Sequence, residues 1–227
     1  EIGKRSEAFC QVESNDAGIL LSRMQHGVVP RAMLNLTWFA EHALTLQDRP
    51  IETEQATHIV RHDPAGVGVI ITPWNSPLRL ATWKLGPALA AGNTVIVKPP
   101  EWAPLTSSLL ADCAHAAGLP PGVFNIVQGS GANTGAKLVS DPRLARVSFT
   151  GSVPTAKWIA QAAGANLVPC SLELGGKSPF IVLEDADIDN AAATGALMYR
   201  NAGQVCLAGT RFLVHHQVRD AFVAAMR

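Results

Sequence analysis

Val67-Gly68-Val69-Ile70-Ile71 and Thr94-Val95-Ile96-Val97 are two short, almost uninterrupted apolar runs, and the amphipathic stretch 78–91 lies between them. A strand with one face in water alternates apolar and polar residues. A continuous run of β-branched residues describes a strand buried on both faces. Gly92-Asn93 ends the intervening helix. The same alternation continues downstream, with strands predicted at 123–127, 145–149 and 166–172 and helices at 105–117, 132–139 and 153–163. Apolar runs that alternate with amphipathic helices make βαβ units. The expected fold class is therefore α/β, an open parallel sheet with helices on both faces.

Outward from this block, residues 1–48 read as mainly helical, with Pro30 as a break. Strand-like runs at 58–62 and 67–72 flank Pro64-Ala65-Gly66, which predicts a hairpin or a bent crossing. Past Gly175 the pattern changes: strands at 179–183 and 211–214, a helix at 188–199 and a final amphipathic helix at 218–227. The expected organisation is one domain over residues 1–174, with a helical N-terminal segment, and the start of a second α/β domain over 175–227. Glu1 reads as a position inside a helix and the last helix stops abruptly, so the sequence is expected to be a fragment of a longer chain.

Composition narrows the function classes. The 227 residues carry 18 basic and 18 acidic side chains, and 48% are hydrophobic. No basic stripe points to nucleic acid. No apolar run reaches the ~20 residues of a membrane span. The N-terminus lacks the apolar core of a secretory signal. Cys10, Cys113, Cys170 and Cys206 are scattered without a CxxC pair, which argues against a metal site or a disulfide framework. Reduced thiols in a cytoplasmic enzyme are the simplest expectation.

Three strand-to-helix junctions have the features of a ligand edge. Gly129-Ser130-Gly131-Ala132-Asn133-Thr134-Gly135 combines glycine turns with a helix start that offers free N–H groups. Phe149-Thr150-Gly151-Ser152 is a second such junction, where Ser152 is either a helix cap or a pyrophosphate contact. Lys98-Pro99-Pro100-Glu101 ends a third strand and suits ribose hydroxyls, unless it is a solvated loop. Open parallel sheets bind ligands at the carboxyl ends of their strands, and all three junctions lie there.

Three further groups suggest covalent chemistry. Cys206 follows Gly203-Gln204-Val205 and is bracketed by Gly203 and Gly209, unlike the other thiols, which read as small buried hydrophobes. Glu173 ends an apolar strand, where burial of its charge would suit a general base, or a salt bridge with Lys177. Asn75 sits in Thr72-Pro73-Trp74-Asn75-Ser76-Pro77. Two prolines restrict that loop, so Asn75 is either an oxyanion donor or a helix N-cap.

Taken in order, TPWNSP, KPPE, FTGS, LELGGKSP and GQVC resemble the NAD(P)-dependent aldehyde dehydrogenase superfamily. The match extends from about Gly66 to Val214. The resemblance implies a Rossmann-like cofactor-binding domain followed by part of a catalytic, thiol-bearing domain. It implies that Cys206 is the nucleophile, Glu173 the base that activates water and Asn75 the oxyanion donor. Lys98 and Glu101 would bind the adenosine ribose, Gly151 and Ser152 the pyrophosphate, and Gly131 would lie beside the adenine. Leu174 and Gly175 would lie beside the nicotinamide, and Ile71, Thr72 and Trp74 would wall the cofactor site. Glu101 facing a 2′-hydroxyl favours NAD, with NADP the alternative. One departure is Ala156, where the family often has a glycine five residues after Gly151.

The implied reaction is oxidation of an aldehyde, with a semialdehyde suggested by 83–93 and 101–106, to a carboxylic acid through a thiohemiacetal and a thioester. The resemblance also implies a homodimer or homotetramer. The alternatives from sequence are a CoA-acylating semialdehyde dehydrogenase, against which Glu173 speaks, and an inactive truncated cofactor-binding module.

Overall fold

The computed structural model describes all 227 residues. They divide into two compact units, Glu1–Glu173 and Leu174–Arg227.

The first unit is built on a five-stranded sheet. Its strands are β3 (Val67–Ile71), β4 (Thr94–Lys98), β5 (Phe124–Ile126), β6 (Leu144–Gly151) and β7 (Cys170–Leu174), in the order β5-β4-β3-β6-β7. β3 pairs in parallel with β4 and with β6, and β4 in parallel with β5. Chain order moves outward from β3 through β4 to β5, then returns to the other side of β3 for β6 and β7. The direction therefore reverses between β3 and β6, and such a reversal opens a crevice at the carboxyl edge.

Period-two alternation splits these strands between two buried faces. Ile70, Val95 and Val97 join one core with Phe9, Met24, Val29, Leu78, Leu85 and Leu110. That core is supplied by α1 (Ser6–Ala17), α3 (Val29–Ala43), α4 (Pro77–Ala90) and α5 (Leu105–Ala116). Val69 and Val147 pair directly and are buried on the opposite face, as are Ala156 and Ile159 of α7 (Val153–Gly164). Helices therefore cover both faces, as expected. Each large aliphatic side chain buried in this way contributes about 1.5–3 kcal/mol.

Two local expectations are corrected. Residues 58–62 do not pair with β3. β2 (Thr57–Val60) instead forms an antiparallel ribbon with β1 (Arg49–Glu52), a strand whose charged and proline-containing sequence hides it from a hydrophobic-pattern reading. Both strands of that ribbon are exposed along their length. Nor does Pro30 break the helix. Helical backbone continues through it from the short α2 (Leu21–Arg23), and the irregularity is a π-helical turn at Met24–Val28, directly before α3. A third boundary shifts: β7 begins at Cys170, because Leu167 takes a left-handed φ of 56°.

The second unit pairs β8 (Ser178–Val182) in parallel with β9 (Gly209–Val214), with α8 (Ile188–Ala196) between them and α9 (Arg219–Ala225) after. Val182, Ala192 and Phe222 form its core, packed by Phe180 and Phe212, whose ring centroids are 5.1 Å apart. Asp187 caps α8 by accepting the Asn190 N–H at 3.1 Å. No helix of either unit is long and apolar enough to cross a membrane.

A carboxyl lies within the core of the first unit. Glu13 of α1 has no exposed surface. Burial pushes its carboxyl from 4.5 up to about 7, although the Leu78 N–H favours the charged form. The folded chain thus holds this proton more tightly than the unfolded one. Stability from this group is complete below about pH 4.5, falls as pH rises towards about 7, and is lost above it. Glu13→Gln is expected to leave stability near that of the parent at pH 5 and to exceed it at pH 8 by roughly 1–3 kcal/mol. Urea midpoints at the two pH values measure this; an equal difference at both would refute it.

Candidate active site

The carboxyl edge of the sheet is level across three strands. Ile71 at the end of β3 stands opposite Lys98 of β4 on one side and Phe149 of β6 on the other. The ladder continues one step further, where the Thr72 N–H donates to the Lys98 carbonyl at 3.2 Å. Beyond this line lie Thr72, Trp74 and Asn75 after β3, Glu101 after β4, and Gly151 and Ser152 at the end of β6.

Lys98 is buried, and its Nζ donates to the Pro99 carbonyl at 2.8 Å. Burial lowers the proton affinity of its amine, and the nearby Glu101 charge opposes that. The strand end is therefore buried, while the loop beyond it exposes Glu101 and Trp102. Glu101 is exposed and accepts a hydrogen bond from the Gly131 N–H. That contact brings the KPPE segment and the glycine-rich turn after β5 together. Within the turn, Gly129 has φ 133°, and a Cβ there would fall 2.1 Å from the Thr134 hydroxyl, so only glycine fits. Ser130 accepts the Asn133 N–H at 3.2 Å and starts the π-helical turn Gly131–Gly135.

The second junction does double duty. Ser152 caps α7, accepting the Thr155 N–H at 3.4 Å and sharing a 2.9 Å hydrogen bond with the Thr155 hydroxyl. A Cβ at Gly151 would lie 2.4 Å from the Phe149 ring, so packing by itself requires glycine there. Ala156, where a glycine was expected from the resemblance, is fully accommodated in the interior.

Asn75 is half-buried between β3 and α4. It is not the helix N-cap: Ser76 holds that position, with φ −165°. Trp74 is exposed, Ile71 half-buried and Thr72 buried. Glu173 is exposed, contrary to the burial expected from its apolar strand, because strand alternation turns it to the face opposite Leu172 and Leu174.

Two residues of this unit escape a motif-based reading. Lys84 of α4 is largely buried and donates to the Ser148 hydroxyl at 2.8 Å; burial lowers its proton affinity and the Glu173 charge raises it. Its signal in the sequence is that it is the one charge between Arg79 and Lys98. Thr150 is buried at the end of β6, and both its hydroxyl and that of Thr72 lack a hydrogen-bond partner.

In the second unit, Cys206 is the exposed thiol; Cys10 and Cys113 are buried and Cys170 half-buried. Burial pushes those three thiols up. Cys206 stands in the turn before β9, just after three consecutive left-handed residues, Asn201 (φ 55°), Ala202 (φ 55°) and Gly203 (φ 74°). A non-glycine residue in this region costs about 1–3 kcal/mol, and such strain gathers at functional sites. Gly176 packs on the same turn, where a Cβ would lie 3.3 Å from the Cys206 carbonyl oxygen. Leu174 is half-buried and Gly175 exposed in the segment leading to it. The Arg211 guanidinium donates to the Lys177 carbonyl at 3.0 Å and steadies this segment.

The chain is similar to known aldehyde dehydrogenases. The chain is 41% identical over 220 residues to 2-aminomuconic semialdehyde dehydrogenase of Homo sapiens, a match that covers 96% of the chain and 45% of that protein. It is 42% identical to betaine aldehyde dehydrogenase 2 of Rhizobium meliloti (strain 1021), over 98% of the chain and 46% of the relative. An NAD+ complex of aldehyde dehydrogenase from Bacillus cereus superposes with a TM-score of 0.96 at 35% identity, covering 99% of this chain and 46% of that one. The chain thus spans a little under half the length of these relatives. The model of the aldehyde dehydrogenase family matches residues 1–227 throughout, and the chain belongs to that family.

Proposed function

We propose that this chain supplies the cofactor-binding domain (1–174) and the thiol-bearing part of the catalytic domain (175–227) of an enzyme that oxidises an aldehyde to a carboxylic acid with NAD. The observation that carries this reading is the state of Cys206. It is the exposed thiol of the four, and it is presented on a strained turn in a chain whose whole length matches the family.

The residues present fit a dinucleotide. Lys98 and Glu101 offer a cation and a carboxylate for ribose hydroxyls, and the Gly131 N–H is held beside them. The unpartnered hydroxyls of Thr72 and Thr150 lie at the strand ends where the sheet order reverses. Gly151 and Ser152 would face the pyrophosphate, Leu174 and Gly175 the nicotinamide, with Ile71 and Trp74 as walls. When bound, the nicotinamide supplies the hydride acceptor that turns a thiohemiacetal into a thioester.

The protein's own groups do the rest. The Cys206 thiolate adds to the carbonyl carbon, and the carbonyl oxygen becomes an oxyanion. The Asn75 side-chain amide and the Cys206 backbone N–H donate to it. After hydride loss, Glu173 takes a proton from the water that attacks the thioester, and the Cys206 thiolate leaves as the acid forms. The semialdehyde dehydrogenase among the relatives makes semialdehydes the first substrates to test. The full-length protein is proposed to be a homodimer or homotetramer.

Three outcomes test the scheme in the full-length protein. Cys206→Ala is expected to abolish NADH production while NAD still binds in a fluorescence titration; retained turnover would refute the nucleophile. Glu173→Gln is expected to leave a rapid first burst of NADH and slow the steady state by roughly 10²–10⁴. An unchanged steady state, or acyl-CoA as product when CoA is added, would count against water activation by Glu173. Glu101→Gln is expected to shift the ratio of kcat/KM for NAD over NADP about tenfold towards NADP, since a negative charge no longer faces a 2′-phosphate.

A further inference from the structure

The loop that carries Asn75 hangs between two anchors. On its entry side the Thr72 N–H continues the β3–β4 ladder to the Lys98 carbonyl. On its exit side α4 opens with Pro77, which has no N–H, and Ser76 makes no side-chain cap. The first amide of the helix that requires an acceptor is then Leu78. Nothing nearby in sequence provides one. The acceptor comes from α1: Glu13 Oε2 takes the Leu78 N–H at 3.0 Å across 65 positions of sequence.

The surroundings of Glu13 are poorly suited to a group with only a packing role. It has no exposed surface, and Oε1 has no hydrogen-bond partner. From α5 the Thr106 hydroxyl faces the carboxyl and favours its charge, yet stops short of hydrogen-bonding geometry. From α4 comes the Leu78 N–H. Asp16 on α1 opposes the charge, and Glu13 in turn raises the Cys10 thiol. A neutral isostere would remove the cost of burying this carboxylate. What the carboxylate adds is a charge-assisted hydrogen bond at the positive end of a helix, stiffer than a neutral cap.

Leu78 lies three residues past Asn75, with the rigid Pro77 between them. We propose that Glu13 is a positioning residue: by holding the first turn of α4 it sets where the Asn75 amide is presented to the oxyanion. This rests on the reading of Asn75 as the oxyanion donor. Glu13 acts through Leu78 and touches no reactant.

The test compares the full-length parent with Glu13→Gln, using two readouts. The first is amide hydrogen exchange at residues 72–80, corrected for intrinsic rates, from pH 6 to 8.5. Protection in the parent is expected to fall as pH passes about 7 and the buried carboxyl ionises, and in the variant to stay flat. The parent's own pH response needs no variant and survives any folding defect. The second is steady-state kinetics at pH 8 on the aldehyde the parent oxidises best. The variant is expected to lose about tenfold in kcat, with KM for NAD within twofold and no loss of thermal stability. Flat exchange in the parent, or a variant that matches its kcat, overturns the Glu13 proposal and leaves the proposed function standing. A parent that shows the exchange response but oxidises no aldehyde overturns the proposed function, and the positioning role with it.

Discussion

The alignment of three strand ends governs the rest of the first unit. Ile71 pairs in parallel with Lys98 and with Phe149, and from Gly68 onward both registers run without a shift, so the loops after β3, β4 and β6 leave the sheet at one height. Side chains drawn from positions as distant as Asn75 and Ser152 can then border a single crevice. A one-residue slip of β3 would exchange its two faces and set Val69 and Ile70 each against helices packed to fit the other, and that loss of packing is what keeps the edge level. The candidate site therefore inherits its geometry from the core and not from its own loops.

Much of this was legible because parallel strands are buried on both faces. Val67–Ile71 and Thr94–Lys98 announce themselves as continuous apolar runs, and the helices between them by their period. Legibility failed where burial fails. β1 and β2 are exposed along their whole length, so no hydrophobic pattern marked Arg49–Glu52 as a strand, and β2 was matched to the wrong partner. Pro30 reads as a break, yet the helical run passes through it, with a π-helical turn directly before α3 as the local irregularity. Glu173 misled for a related reason. Its neighbours Leu172 and Leu174 are apolar, but alternation sends it the other way.

The site shows the same division. Lys98, Glu101 and Gly131 were readable as separate motifs, yet their association depends on one hydrogen bond between a loop after β4 and a turn after β5. Lys84 and Thr150 were not readable as site residues at all, because burial in the folded chain is what distinguishes them from ordinary polar side chains on a helix and a strand. Ser152 illustrates the reverse. Its cap to α7 satisfies a structural demand, and that same demand orients its backbone at the carboxyl edge, so the two readings of the residue are compatible.

Burial of a charge ties these points together. Two of the buried ionisable groups of the first unit, Glu13 and Lys98, each lie one contact away from a loop at the carboxyl edge: Glu13 through Leu78, Lys98 through Pro99. Apolar side chains of similar size would fill the same volumes at lower desolvation cost. Dispersion forces hold a helix against a sheet but tolerate small sliding motions, whereas a hydrogen bond from a buried charge has a narrow range of length and angle. A loop that must present an amide or a carboxylate to within a fraction of an ångström gains from the second kind of restraint. The sheet sets the height of these loops, and the buried charges set how far they can shift once there.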